Sequence, residues 1–207
     1  MKPSETYLPN LLRGSVAETW APIARHFLRG GTAPTLDLTH RTGRQWSKLK
    51  PPDDWPMGLV RCDVDPSMPV DLAADCRAVP FRSGLFGAVV VDLPWTEDAG
   101  KNSYSGPKYA PRHKRHGELL SLLAPAEWAR VARPGAFLFV RCQDAHHEGR
   151  FLDLSWDIGR IVRESGAWDP WERVVCETGG RPPRYAMVAP PKCRKVVTYW
   201  LVFRRRK

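Results

Sequence analysis

Four aspartates stand where short apolar runs of the chain end: Asp37 in TLDL, Asp63 in GLVRCD, Asp75 ahead of CRAVPF, and Asp92 in AVVVD. A carboxylate at the end of a buried strand must be hydrogen-bonded or paired. Each one alone reads most simply as the cap of a turn or helix. Four in succession, each at the end of its apolar run, point further. In an open parallel sheet, ligands bind beyond the carboxyl ends of the strands. Asp92 is also followed at once by Leu93, Pro94 and the aromatic Trp95.

Those acids need a frame. Residues 17–29 carry apolar side chains at helical spacing, with Pro22 expected near the helix start and Gly30-Gly31 as the stop. Residues 1–16 read as an arm. Strands are expected at 35–38, 58–63, near 76–79, 88–92 and 136–141. The unbroken valines before Asp92 indicate burial on both faces, as in a parallel sheet. Residues 41–49 read as a turn running into a helix, residues 118–133 as a helix broken at Pro125, and residues 154–166 as an amphipathic helix closed by Gly166. Two β-branched and aromatic runs, 172–177 and 195–203, have only a loop between them, which predicts antiparallel pairing. The alternation predicts an α/β fold: a Rossmann-like, doubly wound, mostly parallel sheet of about seven strands with an antiparallel final strand.

The 207 residues divide by composition into an N-terminal arm and helix (1–32) and one main domain (33–207). With 32 Lys and Arg against 22 Asp and Glu, the net charge is +10, which favours a polyanionic partner, nucleic acid above all. Five cysteines without CxxC spacing argue against a disulfide framework or structural zinc. The N-terminus lacks the apolar core of a signal peptide, and no apolar run is long enough to span a membrane. The expectation is a reduced, cytoplasmic protein with no membrane partner.

In order, LDLTHRTG, RCDVDP, DCRAVPF, VVVDLPW and RVARPGAFLFV resemble the motif series of class I S-adenosylmethionine-dependent methyltransferases, over roughly residues 33–205. VVVDLPW resembles the (D/N)PP(Y/F/W) motif of amino-methyltransferases, which act on adenine N6 or cytosine N4. The whole pattern is similar to small methyltransferases of phages and actinobacteria. The resemblance implies S-adenosyl-L-methionine as cofactor. It implies that the Asp37–Gly43 turn, with Thr39 and His40, takes the methionyl end of the cofactor through backbone N–H groups and a helix N-terminus. Asp37 would meet the cofactor's ammonium, directly or through water. Asp63 would take the ribose hydroxyls, with Asp65 in reserve. Asp75 and the Cys76 N–H would meet the adenine. Two positions depart from the family pattern: Arg41 replaces a glycine of the turn, and Leu93 replaces the first proline of DPPW.

The resemblance also answers why an acid, a proline and an aromatic follow one another. An exocyclic base amine is a poor nucleophile because its lone pair is delocalised into the ring. Acceptors on both hydrogens favour a more tetrahedral nitrogen, and the resemblance names them as the Asp92 carboxylate and the Leu93 carbonyl. Pro94 biases Leu93 toward an extended backbone. Trp95 is the expected stacking platform for the base.

Beyond this motif, residues 101–116 read KNSYSGPKYAPRHKRH. Lys101, Lys108, Arg112, Lys114 and Arg115, interleaved with Tyr104 and Tyr109, form the expected nucleic-acid contact: cations for phosphate, aromatic rings for stacking. DNA is expected ahead of RNA, with a partner subunit or homodimer allowed by the short chain. His146-His147 reads as a polar loop rather than a metal site. Cytosine-C5 chemistry needs a cysteine nucleophile, typically in a Pro-Cys pair, and no Pro-Cys occurs. Two rival functions remain open at this stage: a catalytically degenerate nucleic-acid-binding subunit, motivated by Arg41 and Leu93, and a methyltransferase of a small molecule or protein.

Overall fold

The computed structural model describes residues 8–50, 54, 58–93, 120–147, 150–177 and 197–207. Pro94, Trp95 and the basic run from Lys101 to Arg115 lie outside the described residues. In chain order the elements are β1 (Leu11–Arg13), α1 (Val16–Leu28), β2 (Thr35–Asp37), a 3-10 turn (Arg44–Trp46), β3 (Leu59–Asp63), β4 (Leu72–Ala73), β5 (Phe86–Val91), α2 (Pro125–Val131), β6 (Ala132–Cys142), β7 (Ala145–His147), β8 (Arg150–Leu152), α3 (Leu154–Glu164), β9 (Trp168–Glu177) and β10 (Val197–Arg205).

Eight strands form one sheet in the order β1-β9-β10-β6-β5-β2-β3-β4, and β7-β8 make a small separate hairpin. β4, β3, β2, β5 and β6 run parallel, and β10 lies antiparallel to both β6 and β9. The strand order reverses between β2 and β5: β3 follows β2 on one side, while β5 and β6 build the other. That reversal opens a crevice at the carboxyl ends of β2 and β5, where ligands bind in such sheets.

The valines of β5 are buried on both faces. Val89 and Val91 join the core under α2 and α3, and Ala88 and Val90 join the core under α1. Trp20 of α1 anchors the second core, packed against Trp200, Trp46 and Phe139.

Several local expectations change. The presumed arm contains β1, which extends the sheet beside β9. Ser15 starts α1 with a capping box to Glu18, and this places Pro22 in the second turn instead of near the start. The segment after Asp37 winds only into the 3-10 turn. The third strand is a two-residue pairing at Leu72–Ala73, not near 76–79. Pro125 opens α2 at its first turn, where its missing N–H costs nothing.

Candidate active site

Side chains alternate along strands. Leu36, Leu38, Val91 and Val140 face the α2/α3 core. Asp37, Asp92 and Arg141 therefore fall together on the opposite, α1 face of the sheet, at its carboxyl edge. Thr39, just past β2, closes the crevice: its Oγ1 accepts the Asp92 backbone N–H at 2.6 Å. The Leu38 N–H reaches the Val90 carbonyl at 2.9 Å, so the ends of β2 and β5 are stitched directly to each other.

Asp92 is the part-open acid of this edge. Its side chain retains 21% of its surface. Arg141 Nη1, on the neighbouring β6, donates to Oδ1 at 3.2 Å and Oδ2 at 3.0 Å. Burial raises the Asp92 pKa above the ordinary carboxylate value, the Arg141 cation pulls it back, Asp37 raises it further, and Arg41 lowers it. Leu93 is buried in the α2/α3 core, which gives a packing reason for leucine after the acid. Arg141 was not singled out in the sequence. Its signal was available: it ends the strand beside the Asp92 strand, so its side chain can reach Asp92.

Asp37 takes a different task from the one expected. It is 0% exposed. Its Oδ2 accepts from His40 Nδ1 at 2.9 Å, Gln45 Nε2 at 3.1 Å and Trp46 Nε1 at 2.6 Å, and its Oδ1 accepts the Thr39 N–H at 3.2 Å. Three donors crowd Oδ2 and one meets Oδ1, so the carboxylate is enclosed by its own turn with one lone pair left on Oδ1. Asp37 therefore positions the turn from inside, fully buried beneath it. His40 belongs to the same cluster: its Nδ1 is held by Asp37 and its N–H donates to the Cys62 carbonyl. Gly43 has φ +66°, and a Cβ there would come within 2.5 Å of His40 Nε2, so the turn requires glycine twice over.

Arg41 adopts φ +50°, a left-handed conformation costly for arginine, and its N–H donates to Asp63 Oδ2 at 2.9 Å, which holds it there. Asp63 is 7% exposed and also accepts the Asp65 N–H at Oδ1. Asp65 is a turn residue, accepting from the Ser67 N–H and hydroxyl. Asp75 is half-exposed and held by Arg77 through Nε and Nη2, which lowers its pKa. The Cys76 carbonyl accepts from Trp128 Nε1, fixing that turn against α2.

The edge fits a nucleoside-bearing cofactor in part. Asp63 keeps one further lone pair on each oxygen at the end of β3, and Asp75 can exchange Arg77 for a ligand. Among the described residues, the Thr42 and Arg44 N–H groups of the turn donate to no acceptor, which suits a carboxylate. The short 3-10 turn supplies no helix dipole of consequence.

Other groups are structural. Burial raises the thiol pKa of Cys62 and Cys176 to about 11, raises that of Cys76 to about 12, and raises that of Cys142 further. None of these four is poised as a nucleophile. Cys193 lies outside the described residues. Arg205 donates to the Ala129 carbonyl and Arg206 pairs with Asp169, so two of the tail cations serve the fold. Among the described residues no helix is long and apolar enough to cross a membrane.

No family model and no curated protein matches the chain by sequence. Solved structures do match by fold. The N-methyltransferase NodS from Bradyrhizobium japonicum WM9, in complex with S-adenosyl-L-homocysteine, superposes with a TM-score of 0.51 at 16% identity, over 84% of this chain and 79% of that one. The 1,6-didemethyltoxoflavin-N1-methyltransferase of Burkholderia thailandensis, with 1,6-didemethyltoxoflavin and S-adenosylhomocysteine bound, superposes with a TM-score of 0.55 at 12% identity, over 93% and 79%. The likeness is one of fold: the chain has the Rossmann-like fold of S-adenosylmethionine-dependent methyltransferases.

Proposed function

We propose that this chain transfers the methyl group of S-adenosyl-L-methionine to an exocyclic amino group of a nucleic-acid base, adenine N6 in DNA first. The observation that carries the reading is the part-open Asp92 carboxylate at the strand-order reversal, paired with Arg141 on a backbone whose N–H is held by Thr39. The cofactor supplies an electrophilic methyl on a sulfonium. Thr42, Arg44, Asp63, Asp75 and Cys76 are the residues proposed to hold it, on a turn shaped by Asp37, His40 and Gly43. Asp92 accepts one hydrogen of the amine, and the Leu93 carbonyl is proposed to accept the other. The proton that the amine gives up on methylation would pass to Asp92 or water. Positioning amine and methyl in line is the main source of rate. Trp95 is proposed to stack the base, which in a duplex must first be extruded. The net charge of +10 and the basic run Lys101–Arg115 support a nucleic-acid substrate.

A second reading is a subunit of the same fold that binds nucleic acid without cofactor. It is favoured by Asp37 being fully buried and by Asp63 being buried behind the Arg41 N–H.

Labelled S-adenosylmethionine incubated with unmethylated DNA and RNA, followed by nucleoside mass analysis, decides between them, with cofactor binding followed by calorimetry. Label in N6-methyladenine or N4-methylcytosine is the expected outcome. Neither label nor cofactor binding, with nucleic acid still bound, establishes the second reading. Transfer to a small molecule or protein without nucleic acid overturns both.

A further inference from the structure

Away from the crevice, a groove of about 300 Å³ runs between α3 and β9. Trp156, Gly159, Arg160 and Arg163 line its helix side, Trp171 and Arg173 its strand side, and Leu201–Phe203 contribute apolar lining. The helix residues recur three and four apart, so they form one continuous face. Trp156 is 59% exposed and Trp171 51% exposed. Exposed tryptophans beside a groove mark a contact surface more often than chance.

The charge of the groove is not cancelled locally. Arg160 is held by Glu164 at 2.9 Å and Asp157 at 4.0 Å. Arg163 and Arg173 meet no carboxylate among the described residues. Glu172 spends an oxygen on the Arg173 backbone N–H at 2.8 Å. A further cation, Arg204, lies 4.9 Å from the Trp171 ring centroid.

Among the described residues the strand side is an open edge, because β1 covers β9 only from Val175 to Glu177. It is nonetheless poor for pairing with another strand. Pro170 has no N–H, and the register shift opposite Val202/Phe203 leaves Trp171 as the extra residue of a bulge. Asp169, Glu172 and Arg173 add charge. Proline, bulges and charge are the features that block edge pairing. What remains is a surface for a flat apolar group flanked by anions.

We propose that this groove is a second nucleic-acid contact, in which a base stacks on Trp156 and the flanking phosphates meet Arg163 and Arg173. The ligand class rests on the nucleic-acid reading above. The site itself is separate from the Asp92 crevice.

Gly159→Glu is the sharpest test. Nothing lies within 4 Å of a Cβ built at Gly159, so the new side chain enters the groove without a clash. Glutamate is also the better helix former. The melting temperature is expected to hold or rise, while affinity for a short fluorescent single-stranded oligonucleotide falls about tenfold, with S-adenosylmethionine affinity unchanged. Trp156→Ala is expected to lose about tenfold, in the range of one base–aromatic stack. Arg163→Ser with Arg173→Ser is expected to flatten the slope of log affinity against log salt by about 1.4, two phosphates at about 0.7 each. Unaltered oligonucleotide affinity in Gly159→Glu and Trp156→Ala overturns the proposal. So does sedimentation showing that Gly159→Glu abolishes self-association and leaves oligonucleotide binding intact, because the groove is then an interface between copies. Methyl transfer by the wild type, assayed in parallel, separates the two claims. Groove variants that weaken binding in a protein without transfer sink the catalytic reading alone, and transfer with unaffected binding sinks the groove alone.

Discussion

Asp37 and Asp92 end neighbouring parallel strands, face the same side of the sheet, and lie on either side of one crevice. They differ in what surrounds them. Asp37 is closed in by four donors from its own turn. Asp92 has one charged partner, Arg141, and keeps a fifth of its side-chain surface open. Position at a strand end thus does not assign a carboxylate its work; its exposure and the donors around it do. A fully buried acid ringed by four donors organises a loop. A partly open one with a single charged partner, its pKa raised by burial, has capacity left for a substrate hydrogen.

The contrast can be broken most directly by exchanging the two acids for alanine. Asp92→Ala is expected to lower methyl transfer by about 10²–10⁴-fold, the span of a lost proton-accepting group, while cofactor affinity stays nearly intact. Full transfer by that variant removes Asp92 from the chemistry. Asp37→Ala is expected to act on the fold instead. It leaves the His40, Gln45 and Trp46 donors buried without an acceptor, at a cost of about 3–5 kcal/mol in urea unfolding. A loss below about 1 kcal/mol would show that the cluster does not hold the turn.

The smallest expected effect sharpens the role of Arg141. Asp92 must be ionised to accept a hydrogen, and its folded pKa is raised, so activity fails on acidification at a pH above the ordinary aspartate value. Arg141→Gln removes the cation that opposes that rise. Asp37 and Arg41, the other charges acting on Asp92, remain. The acid limb of the rate profile is therefore expected to move to higher pH. A lower plateau with an unmoved limb would make Arg141 a packing residue only.

Much of the frame was legible. The valines of β5, the periodic α3 with Gly166 after it, and the adjacent runs of β9 and β10 each carry their structure in local pattern, and each formed close to where it was expected. The errors fell where local pattern is weak. β1 is three residues long and becomes a strand only because β9 offers it an edge. The two-residue β4 likewise exists through its pairing with β3. Pro22 was expected at a helix start because proline lacks an N–H, but the Ser15–Glu18 capping box sets the start earlier.

The candidate site divides in the same way. The order of acids, the Asp92-Leu93-Pro94-Trp95 motif, the excess of cations and a site beyond the carboxyl ends of the strands follow from residue types and their sequence, because alternating burial and turn chemistry are local properties. Which acid is spent and which is open could not be read there. Asp37 and Asp92 look alike in sequence. Their difference comes from Gln45 and Trp46 folding back over Gly43, and from Arg141 arriving on a strand 49 positions away. Hydrogen-bond satisfaction depends on which distant groups share a volume, and only the packed sheet decides that.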